Sequence, residues 1–128
     1  MRFLLDASAI IEWGRNNPKA VEIIMASESI GISSIAAYEV LVGLPTKKRS
    51  RAVEFFISYG QYLFRIEDVL MAAEIRDSLK KAGKTVNSLD IMIAAQAKRL
   101  NFTVLAKDEH FDTIKNLCPE VSVMQIEG

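Results

Sequence analysis

The sequence predicts an α/β protein, a three-layer α/β/α sandwich around a mostly parallel five-stranded sheet. One observation predicts this class, and a second predicts that the chain forms a single domain. Short apolar runs alternate along the chain with longer amphipathic segments, which is typical of parallel strands joined by helices that cover both faces. A length of 128 residues with 50% hydrophobic composition also fits one domain, which we expect to span residues 1–128.

The strands are assigned to short apolar runs, because a buried parallel strand shows little polar alternation. The first run begins at the N-terminus and ends in an acidic residue, Asp6. The predicted strands are residues 2–6, 30–32, 61–66, 103–106 and 121–125.

The helices are assigned from apolar spacing and from residues that favour helix ends. Ser33 or Ser34 is expected to cap the third helix, Gly43 to end it, and Asn87 to cap a later one. The predicted helices are residues 7–13, 19–27, a segment from the Ser33–Ser34 cap to about 42, a segment opened by basic residues 47–51, then 68–82, 87–100 and 109–116.

The composition indicates where in the cell the protein is located and what kinds of partner it can bind. The single cysteine, Cys118, excludes an internal disulfide, and no apolar run is long enough to cross a bilayer. We therefore expect a cytoplasmic protein with no membrane partner. The net charge is zero, from 16 basic and 16 acidic residues, which argues at face value against a nucleic-acid binder. A polyanionic substrate stays possible if metal neutralises some of the acids.

Four acidic residues lie beside apolar segments, where a carboxylate is out of place: Asp6, Glu39, Asp90 and Asp108. In open α/β sheets, ligands bind beyond the carboxyl ends of the strands, and all four residues can reach that edge. A cluster of carboxylates is costly unless cations neutralise it, and hard oxygen ligands suit Mg²⁺ or Mn²⁺. The pattern therefore indicates metal-dependent phosphodiester chemistry.

Each of these acids also has a purely structural interpretation. Asp6 and Asp108 are favoured helix N-caps, and Asp90 stands three residues after Asn87, as in a capping box. Glu39 is harder to explain in this way, because apolar residues surround it. The coincidence of all four with strand ends and helix starts favours the site hypothesis.

Each of the four acids stands in a short segment with apolar neighbours. The segments are Leu4-Leu5-Asp6-Ala7-Ser8, Tyr38-Glu39-Val40-Leu41-Val42-Gly43, Leu89-Asp90-Ile91-Met92-Ile93-Ala94-Ala95 and Ala106-Lys107-Asp108-Glu109-His110-Phe111. In order and in spacing, these segments resemble the four acidic motifs of PIN domains. The resemblance is strong to the toxin halves of VapBC toxin–antitoxin pairs, and it covers essentially the whole chain.

The resemblance implies strand order 3-2-1-4-5 and a metal-dependent ribonuclease that hydrolyses RNA. It implies Mg²⁺ or Mn²⁺ as cofactor, a cognate antitoxin that covers the site, and a homodimer. Lys107 departs from the Thr or Ser that many relatives carry before the fourth acid. The resemblance implies the metal-binding and catalytic residues Asp6, Glu39, Asp90 and Asp108, with Ser8 and Asp112 in support.

A basic segment and one further lysine are candidates for contact with an RNA backbone, although a charge run is more often a solvated helix face. The candidates are Lys47, Lys48, Arg49, Arg51 and Lys107.

Three alternative functions stay open at this point. A phosphorelay receiver domain also gathers acids around Mg²⁺ and would use Asp68 as phosphoacceptor. A non-catalytic module of the PIN fold needs no metal, and a DNA-directed nuclease shares the chemistry. No other nucleophile is indicated, since His110 is expected to be a solvated surface residue and Cys118 an inert thiol.

Overall fold

A parallel sheet organises the chain, and the computed structural model describes residues 1–127. The strand order is β3-β2-β1-β4-β5, and each of the pairings found in residues 1–127 is parallel. This confirms the predicted fold class and the strand order that the resemblance implied. The strands are β1 (Arg2–Leu5), β2 (Ser29–Ser33), β3 (Gly60–Tyr62), β4 (Thr103–Ala106) and β5 (Val123–Gln125).

The helices begin at polar side chains that the sequence places at their starts. The side chains of Asp6, Asn17, Ser33 and Asn87 each accept a hydrogen bond from a backbone N–H of the first turn. Within residues 1–127, no helix is both long and apolar enough to cross a membrane. The helices are α1 (Ala7–Gly14), α2 (Pro18–Met25), α3 (Ser34–Val42), α4 (Thr46–Ile57), α5 (Ile66–Lys81), α6 (Ser88–Leu100) and α7 (His110–Leu117).

The core is centred on the two inner strands, β1 and β4. Every residue of β4 is buried, and successive residues of a strand face opposite sides, so both faces of the sheet are covered. Leu4, Leu5, Val104 and Leu105 are each 0% exposed. Burying one such side chain stabilises the fold by roughly 1.5–3 kcal/mol. Truncating one, as in Leu105→Ala, costs about 2–5 kcal/mol because a cavity is left.

The third predicted strand was wrong beyond residue 62. β3 ends at Tyr62 and α5 begins at Ile66, because the Asp68 carboxylate accepts a hydrogen bond from the Arg65 backbone N–H at 2.8 Å and starts the helix there. Leu63 is 71% exposed, so its apolar character did not indicate a buried strand. The fifth strand is also shorter than predicted, since it begins at Val123.

The strand pairing places two of the predicted acids at one edge of the sheet. Asp6 follows β1 directly, and Asp108 lies two residues beyond β4, its parallel neighbour. The Asp6 N–H donates to the Leu105 carbonyl at 3.0 Å, which continues the pairing past the end of β1. The carboxyl ends of the two central strands therefore build the floor of a common site.

Candidate metal centre

Asp6 combines a capping role with a buried, unpaired oxygen. Its Oδ2 accepts hydrogen bonds from the Ser8 backbone N–H at 3.1 Å and from the Ser8 hydroxyl at 2.6 Å. Asp6 is only 2% exposed, and its Oδ1 is buried. This oxygen nevertheless has no hydrogen-bond partner among the described residues. The N-cap interpretation is therefore correct but incomplete, because capping uses one oxygen and leaves the other available to a ligand.

Ser8 connects two of the acidic segments. While its hydroxyl donates to Asp6, the same oxygen accepts a hydrogen bond from the Lys107 backbone N–H at 2.9 Å. The start of α1 is thereby joined to the loop that carries Asp108. This geometry orients the Asp6 carboxylate, which is the kind of support that metal ligands receive from neighbouring groups.

Gln125, a residue that the sequence analysis missed, holds Asp108. The Asp108 N–H donates to Gln125 Oε1 at 3.1 Å, and Gln125 Nε2 donates to the Asp108 carbonyl at 2.7 Å. Asp108 Oδ1 also accepts from the His110 N–H at 2.9 Å, so this acid starts α7 as well as facing the site. The sequence carries no local signal for the Gln125 contact, which depends on β5 pairing with β4.

Asp112 lies at the margin of the site. Gln125 Nε2 approaches Asp112 Oδ1 at 3.3 Å, so the same amide contacts both acids. Asp112 is exposed, and within the described chain it is outside both groups of side chains that are close enough to share a metal ion. Its supporting role stays a prediction.

Two helices bring the remaining acids to the same edge. Asp90 lies in the first turn of α6 and is 5% exposed. Glu39 lies within α3 and is half-buried, and its buried Oε1 has no hydrogen-bond partner among residues 1–127. Asn87 caps α6 through its own side chain, and Asp90 makes its side-chain hydrogen bond to His110 instead of closing a capping box.

The structure brings all four acids together in two overlapping groups. Oxygens of Asp6, Glu39 and Asp90 lie within 4.8 Å of one another. Donor atoms of Asp90, Asp108 and His110 form a second group within the same limit. Asp90 belongs to both groups, so it is the centre of the site.

The crowding of carboxylates shifts their pKa values upward. Burial raises the pKa of Asp6 and of Glu39, and the nearby charge of Asp108 adds to the rise at both. Burial, followed by repulsion from Asp6 and Asp108, raises the pKa of Asp90 to about 7, although the hydrogen bond from His110 opposes that rise. These shifts have the sign expected for buried carboxylates that repel one another.

An open groove of about 870 Å³ adjoins the acidic edge at Glu39. Its apolar wall includes Trp13 and Phe55, whose ring centroids lie 5.1 Å apart in an edge-to-face arrangement. Lys48 and Arg51 line the same groove from α4. The groove therefore offers both apolar and cationic contacts next to the Glu39 carboxylate.

The other candidate RNA contacts have different surroundings. Arg49 Nε donates to the Leu41 carbonyl at 3.0 Å, so it caps the carboxyl end of α3. Lys107 Nζ lies 3.7 Å from Glu12 Oε1, and Lys47 is exposed on α4, outside the described lining of the groove. Of the five candidates, Lys48 and Arg51 are the two that line the groove.

A comparison with protein-family models matches residues 3–117 to the PIN domain. The match covers most of the chain. This chain belongs to the PIN domain family. A search of curated protein sequences found no significant match.

Solved structures share the fold of this PIN domain at low sequence identity. A DNA-bound VapBC from Salmonella typhimurium matches with a TM-score of 0.82 and 23% identity, covering 99% of each chain. VapBC2 from Rickettsia felis, bound to a promoter DNA fragment, matches with a TM-score of 0.81 and 19% identity, covering 99% of this chain and 100% of the other. FitAcB from Neisseria gonorrhoeae matches with a TM-score of 0.75 and 25% identity, covering 95% and 96%. Two of these three structural neighbours are VapBC complexes, the class that the resemblance named.

The receiver-domain alternative does not fit this PIN domain. Asp68, its required phosphoacceptor, is 0% exposed and lies within α5. The Arg99 guanidinium donates two hydrogen bonds to the Asp68 carboxylate, from Nε to Oδ1 at 2.5 Å and from Nη2 to Oδ2 at 3.0 Å. A carboxylate that is buried and paired on both oxygens is not available for phosphoryl transfer.

Proposed function

We propose that this PIN domain is a divalent-metal-dependent endoribonuclease and the toxin half of a toxin–antitoxin pair. The observation that carries the proposal is the pair of buried carboxylate oxygens, Asp6 Oδ1 and Glu39 Oε1, that lack partners among the described residues. A buried, unpaired carboxylate oxygen is costly unless a cation or proton compensates it. An all-oxygen donor set is the set that Mg²⁺ and Mn²⁺ prefer, so the residues present fit the metal that the fold family implies.

The catalytic and metal-holding roles are assigned to Asp6, Glu39, Asp90 and Asp108. A bound Mg²⁺ or Mn²⁺ supplies activation of water and charge stabilisation at phosphate oxygens. Ser8 orients the Asp6 carboxylate through its 2.6 Å hydrogen bond. Gln125 holds the backbone of Asp108 on both its N–H and its carbonyl, which limits the motion of that acid.

The groove supports a nucleic-acid substrate beside the carboxylates. Lys48 and Arg51 line it, and such side chains bind phosphates through charge and hydrogen bonds. Exposed aromatic rings can stack on unpaired bases, and Phe55 is 39% exposed. RNA rather than DNA rests on the family analogy, which makes the DNA-directed nuclease an outcome that the assay below distinguishes.

A cognate antitoxin, a homodimer and a cytoplasmic location complete the proposal. The structural neighbours include VapBC and FitAB complexes, and the apolar wall of the groove suits a partner segment that would cover the acids. Ile66 and Leu70 lie one turn apart on α5 and are 75% and 65% exposed, so they are candidates for the dimer contact. We also propose that residues 1–128 act as one domain. A sedimentation mass equal to one chain at micromolar concentration would contradict the dimer.

Cleavage of labelled RNA by purified protein tests the catalytic assignment. We expect cleavage that requires Mg²⁺ or Mn²⁺ and stops with EDTA, with no cleavage of DNA of the same sequence. Asp6→Asn and Asp90→Asn should each abolish cleavage, whereas Asp77→Asn, an exposed acid on α5, should not change it. Full activity in either site variant would reject these roles. Metal binding without cleavage of any RNA would favour the non-catalytic module instead.

A further inference from the structure

The histidine of this chain lies at the margin of the acidic site, between solvent and two of the carboxylates. His110 opens α7, and its Nδ1 is 3.3 Å from Asp90 Oδ2 and 3.6 Å from Asp108 Oδ1. The side chain is 48% exposed, so one part of the ring meets solvent while Nδ1 faces two carboxylates. The expectation that His110 is merely a solvated surface residue therefore misses its contacts.

We propose that His110 Nδ1 is a metal ligand that, with Asp90 and Asp108, forms a second cation subsite selective for Mn²⁺ over Mg²⁺. The inference rests on the metal-dependent function proposed above. It deepens that function by dividing the site into two subsites with different donors. Asp6, Glu39 and Asp90 build one subsite entirely from oxygen, whereas the other contains an imidazole nitrogen.

The spacing of the three donors fits one ion. Neighbouring ligands of an octahedral dication lie about 3 Å apart when each bond is near 2.1 Å. The nitrogen–oxygen distances of 3.3 Å and 3.6 Å are close to that spacing. Ligation requires the Nδ1 lone pair, which leaves the ring proton on Nε2. Asp90 is shared with the oxygen-only group, in which the buried Asp6 Oδ1 has no hydrogen-bond partner among residues 1–127. That unpartnered oxygen next to the shared Asp90 is an independent sign of a cation at this edge of the sheet.

The donor types determine the selectivity. Mg²⁺ binds oxygen ligands almost exclusively, whereas imidazole suits transition-metal ions. Replacing one carboxylate by a neutral imidazole also lowers the negative charge of the subsite, which disfavours a hard ion held mainly by charge. The oxygen-only subsite accepts either ion, so Mn²⁺ is expected to fill both subsites and Mg²⁺ only one.

Electron paramagnetic resonance of Mn²⁺ tests this assignment on the untagged chain of residues 1–128. Because His110 is the only histidine, any imidazole ¹⁴N coupling to bound Mn²⁺ must come from it. We expect two Mn²⁺ ions per chain with ¹⁴N modulation in the wild type. In His110→Ala, one Mn²⁺ should be lost or bound at least roughly tenfold more weakly, and the modulation should vanish. Mg²⁺ titrated against the wild type should displace Mn²⁺ from one subsite without removing the ¹⁴N modulation.

Two further variants separate ligation from positioning and from the proposed function. His110→Asn keeps a hydrogen-bond donor for Asp90 but lacks the imidazole, so recovery of wild-type Mn²⁺ affinity in this variant would overturn ligation. Asp6→Asn should weaken the oxygen-only subsite and retain the ¹⁴N modulation.

Mn²⁺ bound with no ¹⁴N coupling in the wild type would overturn the inference while leaving the nuclease proposal intact. The absence of any Mn²⁺ binding would overturn both, and circular dichroism verifies that each variant is folded.

Discussion

Replacing Asp90 by Asn is expected to stabilise the metal-free protein while removing its metal site. The pKa of Asp90 rises from its ordinary 3.8 to about 7 in the folded chain, first because of burial and then because of Asp6 and Asp108. Between those two pH values the unfolded chain has released the proton and the folded chain still holds it. The free energy of unfolding therefore falls as pH rises through this window, and it stays low above it.

The magnitude follows from the size of that rise. One pKa unit corresponds to about 1.4 kcal/mol, so ionisation of Asp90 costs the folded state about 4 kcal/mol by pH 8. The acids titrate as a coupled group, so this penalty belongs to the cluster centred on Asp90. Asn cannot ionise, and Asp90→Asn should remove most of the loss. That is a large fraction of the 5–15 kcal/mol that typically holds a domain folded.

Urea unfolding in EDTA, measured from pH 4 to pH 8, provides the assay. We expect the stability difference between Asp90→Asn and wild type to grow with pH and to level off above about 7, where the pKa of Asp90 lies. Asp77→Asn serves as the matched control and should show no such growth. Saturating Mn²⁺ should restore wild-type stability, by about 2.7 kcal/mol at a hundredfold excess over Kd, and should not act on Asp90→Asn. Parallel pH curves for wild type and Asp90→Asn would refute the electrostatic reasoning.

Three other predictions concern positioning, substrate contact and stability. Ser8→Ala removes the hydroxyl that orients Asp6, so we expect roughly 10–100-fold weaker metal binding by calorimetry, and a change below twofold would count against this role. Lys48→Ala should reduce the slope of log binding constant against log salt concentration by about 0.7 for single-stranded RNA. Lys47→Ala is the control, because Lys47 is outside the described groove lining, and it should leave the slope unchanged. Equal effects of the two substitutions would argue against RNA binding in the groove. Arg99→Met leaves the buried Asp68 carboxylate without its partner and should cost about 3–5 kcal/mol in urea unfolding, and a loss below 1 kcal/mol would contradict a buried ion pair.

Local patterns in the sequence were sufficient for most of the secondary structure. β4 was predicted with the bounds observed, and Asn87 caps α6 as expected, because capping and apolar burial depend on a few adjacent residues. The third strand was extended too far because Leu63 and Ile66 are apolar yet exposed. The Asp68 bond to the Arg65 N–H, which starts α5, competes with strand pairing at this point.

The sequence alone also singled out the four acids, since each lies beside an apolar segment and all four coincide with strand ends and helix starts. What it did not reveal were the contacts that depend on strand order. Gln125 reaches Asp108 only because β5 pairs with β4, and Ser8 reaches the Lys107 N–H only because β1 lies beside β4. Such contacts join residues 17 and 99 positions apart, and no local pattern encodes them.

The sequence therefore predicted the kinds of side chain in the candidate site, whereas their spatial arrangement depends on the tertiary fold. Residue type and local spacing determine where a carboxylate stands along its own strand or helix. The packing of non-adjacent elements determines which carboxylates lie close enough to share a cation, and it brings the imidazole of His110 beside them. A lone histidine on a polar helix start carries no such information until α7 is placed against α6 by the buried side chains between them.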